Sequence, residues 1–413
     1  MEKVILLKYH MMAFAAGFVL DLIIGDPENW SHPVRWIGSL IAKLTNRFLN
    51  RANTIQDPIE QCRTKRRFGR LFVLLVILIS GTTTAVLLLA AYFIHPILGC
   101  ALEAWITFRL LATKSLRDAS MNVYRALTEE NSTLDDARYA VSMIVGRDTA
   151  ALDEIGVTKA AVETVAENTS DGIIAPMLYT AIGGPILGII YKSINTMDSM
   201  VAYRNEKYID FGRAAAMTDD IANFLPARIS GVLMIAATGI LGLTQKLCRE
   251  GDEESNKENI GGCIAGRNDE GIGGRVDGRN GEGIGGCATE RNDEDIAGRY
   301  GECNDENNEE HHRNDTFHYS ASNALRIFRR DRRKHASPNA AHTEAVCAGA
   351  LSIELAGDAS YFGEIHHKPT LGDPIRPIES EDIIRANRLM LGTAIICEFL
   401  CLTVMALILI FRN

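Results

Sequence analysis

The sequence predicts an all-α, polytopic integral membrane protein. It should have about four to six membrane segments, one of them re-entrant, with helical cytoplasmic portions and no sheet. Three observations carry that prediction. Leu71–Ile94 runs for 24 residues without a charge, long enough to cross a hydrocarbon core. Leu389–Phe411 repeats the pattern with a single acid, Glu398. The low mean hydropathy of +0.01 and much of the net charge of −9 trace to one polar segment, 250–315, and the rest of the chain is distinctly apolar.

Taken in order, Val4–Ile24 reads as a first, retained membrane helix, because no small-x-small cleavage pattern follows it and the chain turns at Gly25-Asp26-Pro27. Leu20–Ile41 then sets prolines and glycines between two helical stretches. Arg35 to Arg70 carries nine Lys/Arg and abuts the long uncharged run, which predicts this loop on the cytoplasmic side. His95-Pro96 closes that run. Ile97–Ala112, apolar apart from Glu103 and Arg109, predicts a short or tilted return. Lys114–Arg147 is helical in pattern, with Asn131–Asp135 as a break and cap.

Ile173–Tyr191 is apolar, but Gly183-Gly184-Pro185 at its middle predicts two half-helices folded back on each other. A hairpin of that kind leaves both polar flanks on one face of the membrane. Ile229–Thr244 is a further membrane segment of marginal length. Residues 1–249 therefore form the membrane helices with the main polar motifs. Residues 250–315 form a disordered insert, 316–388 a cytoplasmic motif region and 389–413 the last helix. The insert carries an imperfect 12-residue repeat (Gly261–Ile272, Gly273–Ile284, Gly285–Ile296), too poor in apolar side chains to offset its ordering entropy. Nine scattered cysteines without a CxxC pair read as reduced thiols.

Chemistry concentrates between Val162 and Arg228. Glu163, Glu167 and Asp171 recur every four residues and line one helix face. Such a line is ordinarily a solvated face. Here Asn168, Ser170 and the apolar run that follows make a divalent-metal or phosphate-handling site an equal reading. Downstream, Asp198, Arg204, Asn205, Lys207, Asp210, Arg213, Asp219, Asp220 and Asn223 mix both signs, which suits a bound anion whose metal is held by the acids. Asp219 and Asn223 are one helical turn apart, a spacing that allows shared ligation. Magnesium takes one or two carboxylates together with phosphate oxygens and water. No G-x-x-x-x-G-K-[ST] is present, so a P-loop is excluded, and the absence of G-x-S-x-G and H-E-x-x-H weakens serine-hydrolase and zincin readings. His342 and Glu344, two residues apart, do not share a helix face, and His366-His367 reads as a surface pair.

Four stretches, Leu20–Ile41, Glu163–Pro185, Asn195–Gly231 and Ser337–Gly357, resemble in the same order the cobinamide-phosphate synthase family, the CobD/CbiB membrane protein of cobalamin biosynthesis. Where that family usually has a Gly and a Pro near the last motif, this chain has Ala341 and Thr343, while Asn339 and Glu344 are kept. The resemblance implies ATP-dependent amide ligation: a propionate of adenosylcobyric acid joined to (R)-1-aminopropan-2-ol or its O-phosphate. A carboxylate is a poor electrophile, so the route implied is an acyl phosphate followed by amine attack. That route needs Mg²⁺ on the nucleotide, cations on the phosphoryl group and excluded water.

Within the motifs so located, residue type assigns Glu163, Glu167, Asp171, Asp198 and Arg204 to catalysis, and Glu163, Glu167, Asp171, Asp219 and Asn223 to the metal. Asn168, Asn205, Lys207, Arg213, Arg332, Arg333, Asn339 and Glu344 would handle substrate and phosphate, and Asp26 and His32 would meet the amine or its phosphate. The partners implied are the lipid bilayer, the corrinoid, the aminopropanol (phosphate) and later cobalamin-assembly enzymes, with no nucleic acid. The place implied is the cell membrane, with the active face cytoplasmic. Two other classes compete. One is a transporter built on a broken helix; the other is a membrane phosphatase using the same acids. A purified-protein assay separates them, because only the ligase needs ATP, corrinoid and amine together.

Overall fold

The long apolar runs become long helices. In the computed structural model, residues 2–26, 33–203, 205–265, 317–334, 337–361 and 363–412 are described. The first part comprises α1 (Glu2–Ile24), α2 (Pro33–Ala52), α3 (Pro58–Ile94), α4 (Pro96–Leu110), α5 (Thr113–Thr128), α6 (Leu134–Ser142) and α7 (Glu154–Asn168). A π-helical turn, Thr169–Ile174, joins α7 to α8 (Ala175–Val201), and α9 spans Arg213–Ala265. The chain resumes with α10 (Ala321–Asp331), α11 (Ala341–Leu351), four short strands and α12 (Glu381–Arg412).

Among the described residues, six helical stretches are long and apolar enough to cross a membrane: Val4–Ile24, Pro58–Ile94, Pro96–Thr128, Glu154–Val201, Arg213–Arg249 and Glu381–Phe411. Leu74, Leu78, Leu89 and Phe93 of α3 point outward, as a lipid-facing surface requires, while Phe72, Val73, Val76 and Leu88 point inward. The inner set packs with Ile37 and Ile41 of α2, Ile106 and Leu110 of α4, and Ile189, Ile194 and Met197 of α8.

Local chemistry fixes the boundaries. Asp57 caps α3, taking the Ile59 N–H at 3.0 Å, with Pro58 at the first helical position. His95 ends α3 and caps α4 through its ring Nδ1, 3.2 Å from the Ile97 nitrogen. The expected break after α5 is a capping box, Thr133 and Asp136 exchanging bonds at the start of α6.

The segment holding Gly183-Gly184-Pro185 does reverse. Tyr179 and Tyr191, twelve residues apart, stack at 5.1 Å between ring centroids; on a straight helix they would lie roughly 18 Å apart. Gly184 makes the turn at φ +63° and ψ −168°, a conformation open almost only to glycine. Pro185 has no N–H, so the Ala181 carbonyl one turn earlier loses its helical donor. His10 of α1 takes that place, its Nε2 3.2 Å from Ala181 O, while its Nδ1 lies 2.5 Å from Glu103. Tyr92 bonds the other Glu103 oxygen at 2.5 Å, so the acid inside the α4 apolar run is fully used within the bundle.

One expectation needs correcting. No sheet was expected, yet β1 (Glu354–Ala356) pairs antiparallel with β4 (Thr370–Gly372), and β2 (Ala359–Tyr361) with β3 (Glu364–His366). Glycines 357, 363 and 372, all at positive φ, supply the tight reversals that such short strands need. The helix α9 continues to Ala265, into the first part of the segment read as an insert; the rest of that segment lies outside the described residues. By contacts the chain divides into one unit of Met1–Gly242 with Tyr319–Asn413 and a second of Leu243–His318. In the second, Arg249 Nη1 lies 2.9 Å from His318 Nε2.

Candidate active site

Helix α7 is apolar on nearly every side: Val157, Ala160, Ala161, Val162, Val165 and Ala166 are all buried. A helix surrounded in this way carries its acids into the interior. Glu163 accepts the Ala356 N–H at 2.6 Å and pairs with Arg147. Ala356 sits at φ +59°, a strained backbone for a residue with a side chain, at the point where its N–H meets that acid. Glu163, Glu167 and Asn168 line a cavity of about 200 Å³ with Glu344 of α11, Arg147, Tyr361 and Lys368. Lys368 Nζ donates to the Tyr361 hydroxyl at 2.8 Å.

Burial, with Glu167 and Glu163 beside it, pushes the Glu344 carboxyl well above the usual carboxylate range, against the pull of Lys368 and Arg147. Burial opposes the Arg147 charge, but Glu163, Tyr361 and Glu344 outweigh it and hold the guanidinium more firmly protonated than usual. The cavity thus holds three carboxyls against two cations.

A second polar cluster lies at the hairpin's base. The π-turn after Asn168 adds a residue to the helical repeat, so Asp171 leaves the line of Glu163 and Glu167. The charges near Asp171 include Glu167, Asp219, Asp198 and Lys192, so residues from both flanks of the hairpin lie close to it. Tyr191 locks the meeting: its hydroxyl is 3.0 Å from Asp171 O and 2.8 Å from Asn223 Oδ1, sharing one proton between them. Asn223 Nδ2 donates to Asp219 Oδ2 at 3.0 Å. Both ends of Asn223 are therefore occupied, and the expected Asp219–Asn223 metal pair is a hydrogen-bonded pair instead. Asp219 Oδ1 stays buried without a hydrogen-bond partner among the described residues. Asn339 ties the last motif in, its Nδ2 donating to Asp220 O at 2.9 Å.

Other expected residues lie elsewhere. Asp26 pairs with buried Arg109 at 2.8 Å. His32 and Arg204 lie outside the described residues. Asn205 and Lys207 are exposed and make local contacts, Asn205 to the Tyr208 N–H at 3.1 Å and Lys207 over the Tyr208 ring, because 205–210 is a mostly exposed turn rather than helix. Arg213 is exposed at the start of α9, and Asp210 pairs with Arg66 at 2.8 Å. Arg332 and Arg333 line a separate cavity with His342. Among the described residues no three His, Cys, Asp or Glu converge as a metal cluster, so the Glu163–Glu167–Asp171 line is not a ready-made cation site. Sequence reasoning missed Arg147, Tyr361 and Lys368. Arg147 and Lys368 are lone cations beside Gly146 and Pro369 in connecting segments, and Tyr361 is one ring in a three-residue strand, so none of them stands out in the sequence.

Comparison with known proteins matches residues 14–270 and 311–390 to the family described as CobD/Cbib protein. The chain is 36% identical over 384 residues to a protein of Klebsiella pneumoniae subsp. pneumoniae named cobalamin biosynthesis protein CobD, covering 92% of each chain. It is 36% identical over 389 residues to cobalamin biosynthesis protein CbiB of Salmonella arizonae, covering 93% of this chain and 94% of that one. It is 37% identical over 380 residues to the protein of that name from Salmonella typhimurium, covering 92% of each. No solved structure matches.

Proposed function

The chain belongs to the CobD/CbiB family of cobalamin biosynthesis, and from that membership we propose that it joins adenosylcobyric acid to (R)-1-aminopropan-2-ol or its O-phosphate, at the expense of ATP, at the cytoplasmic face of the cell membrane. One observation carries the reading: the cavity where Glu163, Glu167 and Glu344 meet Arg147 and Lys368, assembled from segments far apart in sequence. At about 200 Å³ it falls below the about 300–1,000 Å³ of pockets that engulf drug-sized ligands. It suits the small amine, or one propionate arm, while the macrocycle stays outside.

Lys368 and Arg147 supply positive charge for the carboxylate or the group that activates it. Glu344, whose proton affinity burial raises towards that of an amine, is suited when ionised to take the proton an ammonium must lose before it attacks. Asp198 and Asp219, the latter with its unpartnered oxygen, fit a magnesium ion that arrives with its phosphates. That ion would neutralise charge on the phosphoryl oxygens.

The test is a purified-protein assay with adenosylcobyric acid, the amine and Mg·ATP, reading the amide by mass spectrometry. Product should form only when all three are present. Phosphate release from the phosphorylated amine without ATP, or no product, would overturn the reading. Glu167→Gln is expected to lower turnover by about 10²–10⁴-fold with normal membrane insertion. A wild-type rate would remove Glu167 from the reaction.

A further inference from the structure

Helix α10 sorts its cations by face. Arg326 and Arg330, one turn apart, both reach Asp373 at 2.6 Å. Arg330 and Lys334 also bind the fully buried Asp331, at 2.7 and 2.6 Å. The other side differs. Arg329, Arg332 and Arg333 face a cavity of about 670 Å³ together with Arg228 of α9, Leu325, Phe328 and His342. None of these four arginines pairs with a carboxylate among the described residues. Arg332 donates to the Arg329 carbonyl at 3.2 Å and Arg228 to the Phe224 carbonyl, contacts that neutralise nothing.

His342 forms the inner wall of this cavity. It is 2% exposed, its ring meets Phe328 edge-on at 5.8 Å, and its Nδ1 has no hydrogen-bond partner among the described residues. A buried polar atom left unpaired is costly unless something else completes it. Two residues further along α11, Glu344 faces the carboxylate cavity. A two-residue step turns through about 200° on a helix, so α11 is the partition between an acidic cavity and a basic one.

Among the described residues, the fold neutralises one set of arginines with acids and leaves the other set facing open space beside an imidazole nitrogen without a partner. The charge that set calls for is negative. Guanidinium forks match phosphate oxygens in geometry and donor count. We propose that the Arg228–Arg329–Arg332–Arg333–His342 cavity is a phosphoanion-binding site, separate from the carboxylate cavity and divided from it by α11. This does not depend on the ligation reading, since a phosphate group can bind there whatever the acids do. A nucleotide tail and an anionic lipid head group share this chemistry.

The experiment uses the full chain in nanodiscs and titrates inorganic tripolyphosphate without magnesium, in phosphatidylcholine and in phosphatidylglycerol. Binding in phosphatidylcholine that weakens about tenfold or more when Arg332→Ala and Arg333→Ala are combined supports the site and a soluble phosphate as its ligand. Tripolyphosphate binding suppressed by phosphatidylglycerol, with phosphatidylglycerol retention lost in the same double variant, supports the site and a lipid head group as its ligand. Arg326→Ala, from the neutralised set, should change tripolyphosphate affinity by less than about twofold, as expected for a charge already paired. The proposal is overturned if the wild-type chain binds neither anion, if the double variant binds both as the wild type does, or if Arg326→Ala weakens binding as much as the double variant.

Discussion

His342 and Glu344 show what burial does to neighbouring groups of opposite kind. Burial, then the charges of Arg228, Arg332 and Arg333, hold the His342 imidazole down at about 4 from an ordinary 6.5. An unfolded chain takes up this proton as pH falls below 6.5, whereas the folded chain does not until about 4. The contribution is therefore intact above 6.5 and lost as pH falls through that window, on the order of 3 kcal/mol in full. His342→Gln should flatten the stability slope between pH 6.5 and 4 in a denaturation series, and an unchanged slope would clear His342 as its source. At this scale the sequence made Glu163, Glu167 and Glu344 visible, because acids in apolar surroundings stand out. Asp171 was visible as an acid but misplaced on its helix face, since a one-residue π insertion has no composition of its own. Arg147 and Lys368 were invisible, because a single cation in a connecting segment is ordinary and only the fold brings it to the acids.

Among the elements, the kinked helix α8 decides most. The Gly-Gly-Pro interruption announced the reversal, since a missing donor and a residue free to take positive φ are written in residue type. What the sequence did not show was the His10–Ala181 bond that accepts the freed carbonyl, a contact across 171 positions. A Cβ at Gly184 would force an L-residue into a glycine-only conformation, 3.4 Å from a Glu103 oxygen. Gly184→Ala is expected to cost about 2 kcal/mol of stability and to lower turnover, because it disturbs the turn that returns Asp198 to Asp171. A thermal midpoint and a rate equal to wild type would show that the turn does not set the site. The β1–β4 and β2–β3 pairs stayed hidden because three-residue strands carry no usable alternation. Asp148 fastens the second pair, accepting from Ser360 Oγ at 2.6 Å and the Gly363 N–H at 2.8 Å.

Across the whole molecule, every motif residue and every described group lining the two cavities lies outside 271–310, the stretch that the family match omits. Removal of 271–310 should leave ligation within about twofold of the full chain, as expected for a segment that holds none of the motif residues. Loss of turnover in a folded, membrane-inserted deletion would show that the segment takes part. The order of motifs and the number of long apolar helices were legible from end to end, because hydropathy is a property of composition. Which loops close over the acids was not, because that depends on pairing between distant segments.

Helix α11 carries one further implication. A Cβ on its Gly349 would lie 2.8 Å from Ala324 Cα and 2.9 Å from Asn323 O, so its backbone touches that of α10 with nothing between. The pair can shift only together. If an anion that gathers the guanidiniums moves this pair, it moves Glu344 as well, and thermodynamic reciprocity then requires that whatever sits between Glu344 and Arg147 alter the anion's grip by the same factor. A wall common to two rooms passes on the filling of one only so far as the wall itself moves.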